Sequence, residues 1–180
     1  TVKEISEILQ NDNLLILCLI ETALGLQQAF ETAIASNLVD GLMLGAEDLA
    51  AELNLERTAA GMEIQYARQV LVLAANAAEV QPIDTPFLRV GDLDYLAKDA
   101  KNAREIGFTA KAALSPRQVP VIRKAFLPDA EEIKKAKKIV EAAEQAEQQG
   151  RGIVTVDGTM VDQPVVTRAR RVLDLAEESD

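Results

Sequence analysis

Apolar residues in this chain follow two alternating patterns: short unbroken runs, and longer stretches in which they recur every third or fourth position. Residues 14–20 (LLILCLI) form an unbroken run, bounded before by Asn-Asp-Asn, that is too short to span a membrane and predicts a strand buried on both faces. The run stops at Glu21. Phe30, Ala33 and Ile34 then recur at helical spacing, and residues 39–44 give a second run that ends in Gly45-Ala46-Glu47-Asp48. This is one βαβ unit. A helix over residues 1–10, with Val2, Ile5, Ile8 and Leu9 on one face, precedes it.

The alternation continues. Residues 58–78 predict a long helix with Ile64, Ala67, Leu71 and Ala74 or Ala75 as its seam, on which Tyr66 and Arg68 are expected only to pack. Residues 80–84 (VQPID) follow as a third strand, its proline near the start, where a missing N–H is tolerated. Residues 91–106 read as another amphipathic helix stopped by Gly107, and residues 108–114 as a fourth strand. Ser115 is expected at the N-cap and Pro116 at the first position of a helix over residues 117–126. Strand plus helix therefore recurs through the chain, the pattern of a parallel sheet covered by helices.

From Pro128 the pattern changes. Residues 129–149 predict a charged helix with Ile133, Ala136, Val140 and Ala143 as its seam. In residues 153–161 (IVTVDGTMV), Asp157-Gly158 sits between two short alternating runs, a hairpin signal, and Pro164 starts a last helix through Ala176. Residues 1–127 are thus expected to form a domain and residues 128–180 an extension serving as arm or lid. Four βα units do not close a (β/α)8 barrel, which takes eight units and about 250 residues. The expected fold is α/β, with this chain supplying the C-terminal four units of a TIM-type barrel plus the extension. An open doubly wound sheet is the other option, weakened because no glycine-rich dinucleotide or P-loop motif is present.

Composition narrows the chemistry. The net charge of −10 and the 3% aromatic content argue against nucleic-acid and anionic-membrane binding, although a local basic patch can still hold a phosphate group. The one cysteine, Cys18, lies mid-strand and reads as a buried small hydrophobe, which fits a reducing cytoplasm. Histidine is absent altogether, so no His-based triad or zinc-type site can come from this chain. Proton transfer falls to carboxylates, Lys, Tyr, Cys or metal-bound water.

Two carboxylates stand out. Neighbouring parallel strands lie roughly 4.8 Å apart with their C-terminal ends on one side, so Glu21 and Asp48 would emerge together. Two acids so placed repel unless a cation lies between them, and Mg²⁺ suits them because it takes one or two protein carboxylates and leaves positions for a chelating substrate. The plainer reading gives Asp48 as a cap for the helix over residues 49–53 and Glu21 as favourable charge at a helix start. Both readings stand on pattern alone. Asp84, ending the third strand, faces the same side by position, and Lys111 is either at the mouth of the site or a snorkelling structural lysine.

The segments IETALG, LGAEDLAAEL, YARQVLVLAANAAEVQPIDT, GFTAKAALSPRQV and GTMVDQP, in this order and at these intervals, resemble the citrate lyase beta-subunit-like family, whose members cleave or form carbon–carbon bonds in citryl-, malyl- and citramalyl-type thioesters. The resemblance covers nearly the whole chain. It implies a (β/α)8 barrel with a C-terminal extension, assembled as a homotrimer and in some members with other citrate lyase subunits. It also implies a Mg²⁺ held by Glu21 and Asp48, and an acid, Asp162, reaching into a neighbouring subunit's site as the proton-transfer group. Pattern alone leaves Asp162 equally open as a helix cap ahead of Pro164.

The implied reaction is reversible cleavage of a 2-hydroxyacyl thioester, carried on coenzyme A or an acyl carrier protein, into a keto acid and an acetyl thioester. Arg168, Arg170 and Arg171 are either charge for the carrier or a solvated helix end. Two departures from the family pattern matter. Its substrate-carboxylate arginine has no counterpart here, and Ser115 stands where members usually carry histidine before the proline. Two rivals remain: an inactive structural or assembly subunit of the same fold, and a pyruvate-type aldolase acting on free keto acids.

Overall fold

A computed structural model describes residues 1–9, 14–148, 150 and 152–177. Gln10, the Asn-Asp-Asn stretch and Gln149 lie outside the described residues. The chain divides into two compact units, Thr1–Phe126 and Leu127–Asp180.

The first unit runs α1 (Val2–Leu9), β1 (Ile16–Ile20), α2 (Ala23–Gln27), α3 (Ala29–Ala33), β2 (Val39–Leu44), α4 (Ala46–Glu52), α5 (Gln65–Ala77), β3 (Gln81–Asp84), α6 (Leu93–Glu105), β4 (Ala110–Lys111) and α7 (Val119–Phe126). Its strands make one four-stranded sheet in the order β1-β2-β3-β4, every pair parallel. Ile20 pairs with Leu44 and Asp84 with Lys111, so consecutive strands deliver their C-terminal ends to one edge.

One face of the sheet carries the core. Cys18 and Ile20 of β1 and Leu42 and Leu44 of β2 are buried against Ala29 and Ala33 of α3 and Ala67, Leu71 and Ala75 of α5. The other face of β1 corrects the expectation of burial on both sides: Leu15, Leu17 and Leu19 are 64%, 50% and 48% exposed. An unbroken apolar run records two apolar faces, and only one of them meets a helix layer among the described residues.

Three boundaries also differ from the sequence pattern, each for a local reason. The long helix starts at Gln65 rather than near residue 58, because Gly61 adopts φ +64° and a short 3-10 turn, Met62–Ile64, intervenes. The fourth strand shrinks to Ala110–Lys111. Ser115 and Pro116 lie in a turn instead of capping α7, since the buried Gln118 side chain accepts from Leu114 N at 2.7 Å and donates to Phe87 O at 2.9 Å, and the helix begins only after it. A fourth start agrees to within two residues: Asp92 caps α6 by accepting from Tyr95 N at 3.1 Å.

The second unit comprises α8 (Ala130–Gln148), β5 (Val154–Val156), β6 (Thr159–Val161) and α9 (Gln163–Glu177). Asp129 and Glu132 form a reciprocal capping box at the start of α8. Asp157 and Gly158, at φ +50° and +77°, make the two-residue turn between β5 and β6, the conformation a primed hairpin turn needs. Ala136, Ile139, Val156, Val161, Val166 and Ala169 form this unit's own core. No described helix is long and apolar enough to cross a membrane.

Candidate metal site and the charge network beside it

Glu21 follows the last residue of β1 and Gly45 the last of β2, and Gly45 N donates to Ile20 O at 2.8 Å, which ties the two strand ends together. The Glu21 side chain lies over Gly45: a Cβ on that glycine would stand 2.5 Å from Glu21 Cβ and 3.0 Å from Oε2. Asp48 sits in the first turn of α4, which starts immediately after Gly45. The fold therefore brings both sequence-predicted acids to one edge of neighbouring strands.

The fate of the nearby acids singles Asp48 out. Glu47 accepts from Arg57 Nε at 2.8 Å, and Glu52 Oε2 accepts from Ala23 N at 2.7 Å, closing the N-terminus of α2. Asp48 is exposed and, like the half-buried Glu21, has no hydrogen-bond or ion-pair partner among the described residues. Asp48 does not cap its helix: the N-cap position is Gly45, without a side-chain bond. Thr22, not Glu21, caps α2, accepting from Gly25 N at 3.0 Å. Two open carboxylates, one held over a glycine that leaves room for it, are the donor set that a hard divalent ion with few protein ligands uses. No group of three or more acidic or thiol ligands occurs among the described residues.

Beside this pair, Asp84 is fully buried and is gripped by Arg68 through two parallel bonds of 2.9 Å, Nε to Oδ1 and Nη2 to Oδ2. Lys111 Nζ donates to Asp84 Oδ2 at 2.6 Å, to Thr85 O at 2.7 Å and, across an ion pair of 2.7 Å, to Asp99 Oδ2. Arg68 Nη2 also reaches Asp99 at 2.8 Å. Two cations and two anions thus close a buried neutral cluster. Burial pushes the Asp99 carboxyl up, but Lys111 and Arg68 outweigh it and hold its pKa below the usual carboxylate range.

The cluster corrects three sequence expectations. Lys111 is neither at an open mouth nor snorkelling; its three N–H donors are spent, which leaves none for covalent chemistry. Asp84 faces the expected edge but is an internal ion-pair partner. Arg68 is a buried charge in the seam of α5, whereas Tyr66 is 77% exposed and packs little. An arginine at the spacing of Ile64, Ala67, Leu71 and Ala75 was the available signal, because a charge on a buried stripe demands partners.

In the second unit, Asp162 precedes α9, and Val165 N lies 3.0 Å from its carbonyl oxygen and 3.3 Å from Oδ1. The capping arrangement is present, with one carboxylate oxygen left over. Arg168, Arg170 and Arg171 are exposed, and Arg170 stands 3.8 Å from Glu144.

A sequence profile of the HpcH/HpaI aldolase/citrate lyase family matches residues 2–116. The chain belongs to this family. It is 38% identical over 161 residues to citrate lyase subunit beta of Haemophilus influenzae, covering 89% of this chain and 55% of that protein. It is 32% identical over 138 residues to mitochondrial citramalyl-CoA lyase of Rattus norvegicus, covering 77% and 41% respectively. Among solved structures, protein CitE from Mycobacterium tuberculosis, in complex with magnesium, acetoacetate and coenzyme A, matches with a TM-score of 0.82 and 32% identity over 96% of this chain and 64% of that one. The chain spans about half the length of the citrate lyase beta subunits it matches, 52% to 55%.

Proposed function

We propose that the protein is a Mg²⁺-dependent carbon–carbon lyase that cleaves a 2-hydroxyacyl thioester into a keto acid and an acetyl thioester. The observation that carries this reading is the Glu21 carboxylate lying over Gly45 at the turn that leads to Asp48. The names of the relatives, citrate lyase beta subunit and citramalyl-CoA lyase, supply the reaction class, and the magnesium and coenzyme A of the M. tuberculosis neighbour supply the ion and one carrier.

Glu21 and Asp48 would hold the ion, and when bound it supplies Lewis-acid polarisation of the substrate's 2-hydroxyl and carboxylate. The 2-hydroxyl gives up its proton to solvent as its oxygen becomes the ketone oxygen, and the bond between that carbon and the thioester α-carbon breaks, its electron pair staying on the α-carbon as the thioester enolate. Asp162, from the second unit of an adjacent subunit in a trimer, would deliver a proton to that carbon and in the reverse direction remove it. The buried cluster of Arg68, Asp84, Asp99 and Lys111 fixes the ends of β3 and β4, the strands next to those that carry the acids.

The complete fold in this reading is a (β/α)8 barrel of which Thr1–Phe126 contributes four strands, with Leu127–Asp180 as the arm. Strand order without reversal supports a barrel over a doubly wound sheet, whose order turns back at a switch point. The exposed leucines of β1 support it too, since they present an apolar inner face.

The decisive experiment measures Mn²⁺ binding by electron paramagnetic resonance, and Mg²⁺-dependent cleavage of citryl-, malyl- and citramalyl-coenzyme A, on the full-length protein and on Glu21→Gln and Asp48→Asn. Loss of metal affinity and of turnover in both variants is expected. Metal binding unchanged by either substitution would overturn the site, and turnover on a free keto acid without any thioester would point to the aldolase.

A further inference from the structure

Glu21 and Asp48 stand on two segments that the core holds unequally. Leu49 and Ala50, beside Asp48 in α4, are each 2% exposed, so apolar packing fixes that helix. None of the five residues of α2, which follows Glu21, is fully buried, and Ala23 and Leu26 pack against the core only in part. The turn that carries Glu21 therefore depends more on its hydrogen bonds.

Those bonds bracket Glu21. Just before it, Gly45 N donates to Ile20 O at 2.8 Å. Just after it, Ala23 N, a donor with no partner inside its own helix, donates to Glu52 Oε2 at 2.7 Å, from 29 positions away. Hydrogen bonds to an ionised oxygen are about twice as strong as neutral ones. Thr22, between the two, bonds only locally, to Gly25 N.

Glu52 is the last residue of α4, four positions after Asp48. Residues at that spacing lie on one side of a helix, about 5–6 Å apart between Cβ atoms. The side of α4 that carries Asp48 is thus the side from which Glu52 reaches the Glu21 turn.

We propose that Glu52 is a positioning residue for the metal site: its bond to Ala23 N clamps the Glu21 turn to the helix bearing Asp48 and sets the span between the two carboxylates. This rests on the reading of Glu21 and Asp48 as the metal pair. Groups that orient ligands without touching the ion typically change affinity by about 10–100-fold. Glu52 is suited to that part because its carboxylate is already engaged at Ala23, while Glu21 and Asp48 keep theirs open.

The test is Mn²⁺ binding by electron paramagnetic resonance on the full-length protein, with no substrate present. Glu52→Ala is expected to weaken Mn²⁺ about 10–100-fold. Glu52→Gln, whose amide oxygen can still accept from Ala23 N, should keep most of the affinity. Glu52→Asp keeps the charge but is one methylene shorter, and should lose as much as alanine; if Glu52→Ala fails to fold, Glu52→Asp decides. Glu56→Ala, which removes a nearby exposed acid without a hydrogen bond or ion pair among the described residues, should change nothing. Because Glu52 acts through Glu21, adding Glu52→Ala to Glu21→Gln should weaken binding little beyond Glu21→Gln alone. Unchanged affinity in Glu21→Gln would sink the metal pair itself. A loss in Glu21→Gln with none in Glu52→Ala, equal losses in Glu52→Gln and Glu52→Ala, or additive losses in the double variant would leave the pair standing and overturn the clamp.

Discussion

Glu21 and Gly45 are in contact closer than any side chain at position 45 permits, with 2.5 Å between Glu21 Cβ and the place a Cβ on Gly45 would occupy. Gly45 has φ −91° and ψ 76°, which does not demand glycine, so the constraint is space and not backbone strain. Gly45→Ala is expected to displace the Glu21 carboxylate, costing about 1–3 kcal/mol of overpacking and lowering Mn²⁺ affinity tenfold or more. Parallel urea melts and Mn²⁺ titrations check this; unchanged metal affinity in a folded variant would show that Glu21 has no part in binding.

The Arg68–Asp84 pair predicts a large asymmetry between its single and joint replacements. Removing one partner leaves a charge in a fully buried position, at a cost of about 3–5 kcal/mol. Arg68→Met is therefore expected to lower the urea midpoint steeply, and Asp84→Asn to do so as well. Arg68→Met with Asp84→Leu should recover part of the loss, because no unpaired charge remains between them, although Asp99 is then the one charged partner left to Lys111 among the described residues. A denaturation series over these variants would read the coupling directly, and additive losses would show that the pair does not act as a unit.

What the chain revealed in advance divides along physical lines. Residues 39–44 were legible as β2 to the residue, because an apolar run between polar turns is local information, and the Asp157-Gly158 turn was legible for the same reason. The placement of Glu21 and Asp48 at one edge was legible because parallel strands must deliver their ends to the same side. The cluster of Arg68, Asp84, Asp99 and Lys111 was not, since its members come from α5, β3, α6 and β4 and only tertiary packing unites them. The late start of α5 also escaped the periodicity, because the backbone turn at Gly61 and the bonds Glu63 makes to Thr58 interrupt a pattern that looks continuous in apolar spacing.

Glu63 predicts an acid-range dependence of stability. Burial pushes its pKa up, but the Thr58 hydroxyl and N–H, its own N–H and the Arg57 charge outweigh that and bring it to about 2, from an ordinary value of 4.5. A carboxyl depressed on folding contributes stability that is fully present above the unfolded value and is lost as pH falls through the folded one. Stability should therefore decline between pH 4.5 and about 2, and Glu63→Gln should flatten that part of the curve. Chemical denaturation at a series of pH values tests it; the same acid slope in both proteins would assign the loss to other carboxylates.

Asp162 allows its two roles to be separated by substitution. As the residue ahead of α9, with Oδ1 3.3 Å from Val165 N, it serves a helix end. Asparagine caps about as well as aspartate, whereas alanine forfeits about 1 kcal/mol. A capping role alone predicts that Asp162→Asn retains both stability and turnover while Asp162→Ala loses stability. The proton-transfer role predicts that Asp162→Asn keeps its melting temperature and loses activity by about 10²–10⁴-fold, the usual worth of a positioned acid or base. The same variant should also stop exchange of the acetyl thioester's methyl protons with solvent, a signal that a helix cap does not move. Because the acid is proposed to act across a subunit boundary, mixing Asp162→Asn with Glu21→Gln protein should restore part of the turnover through mixed assemblies. Absence of any recovery, with co-assembly demonstrated, would place the acid and the metal ligands in the same subunit's site.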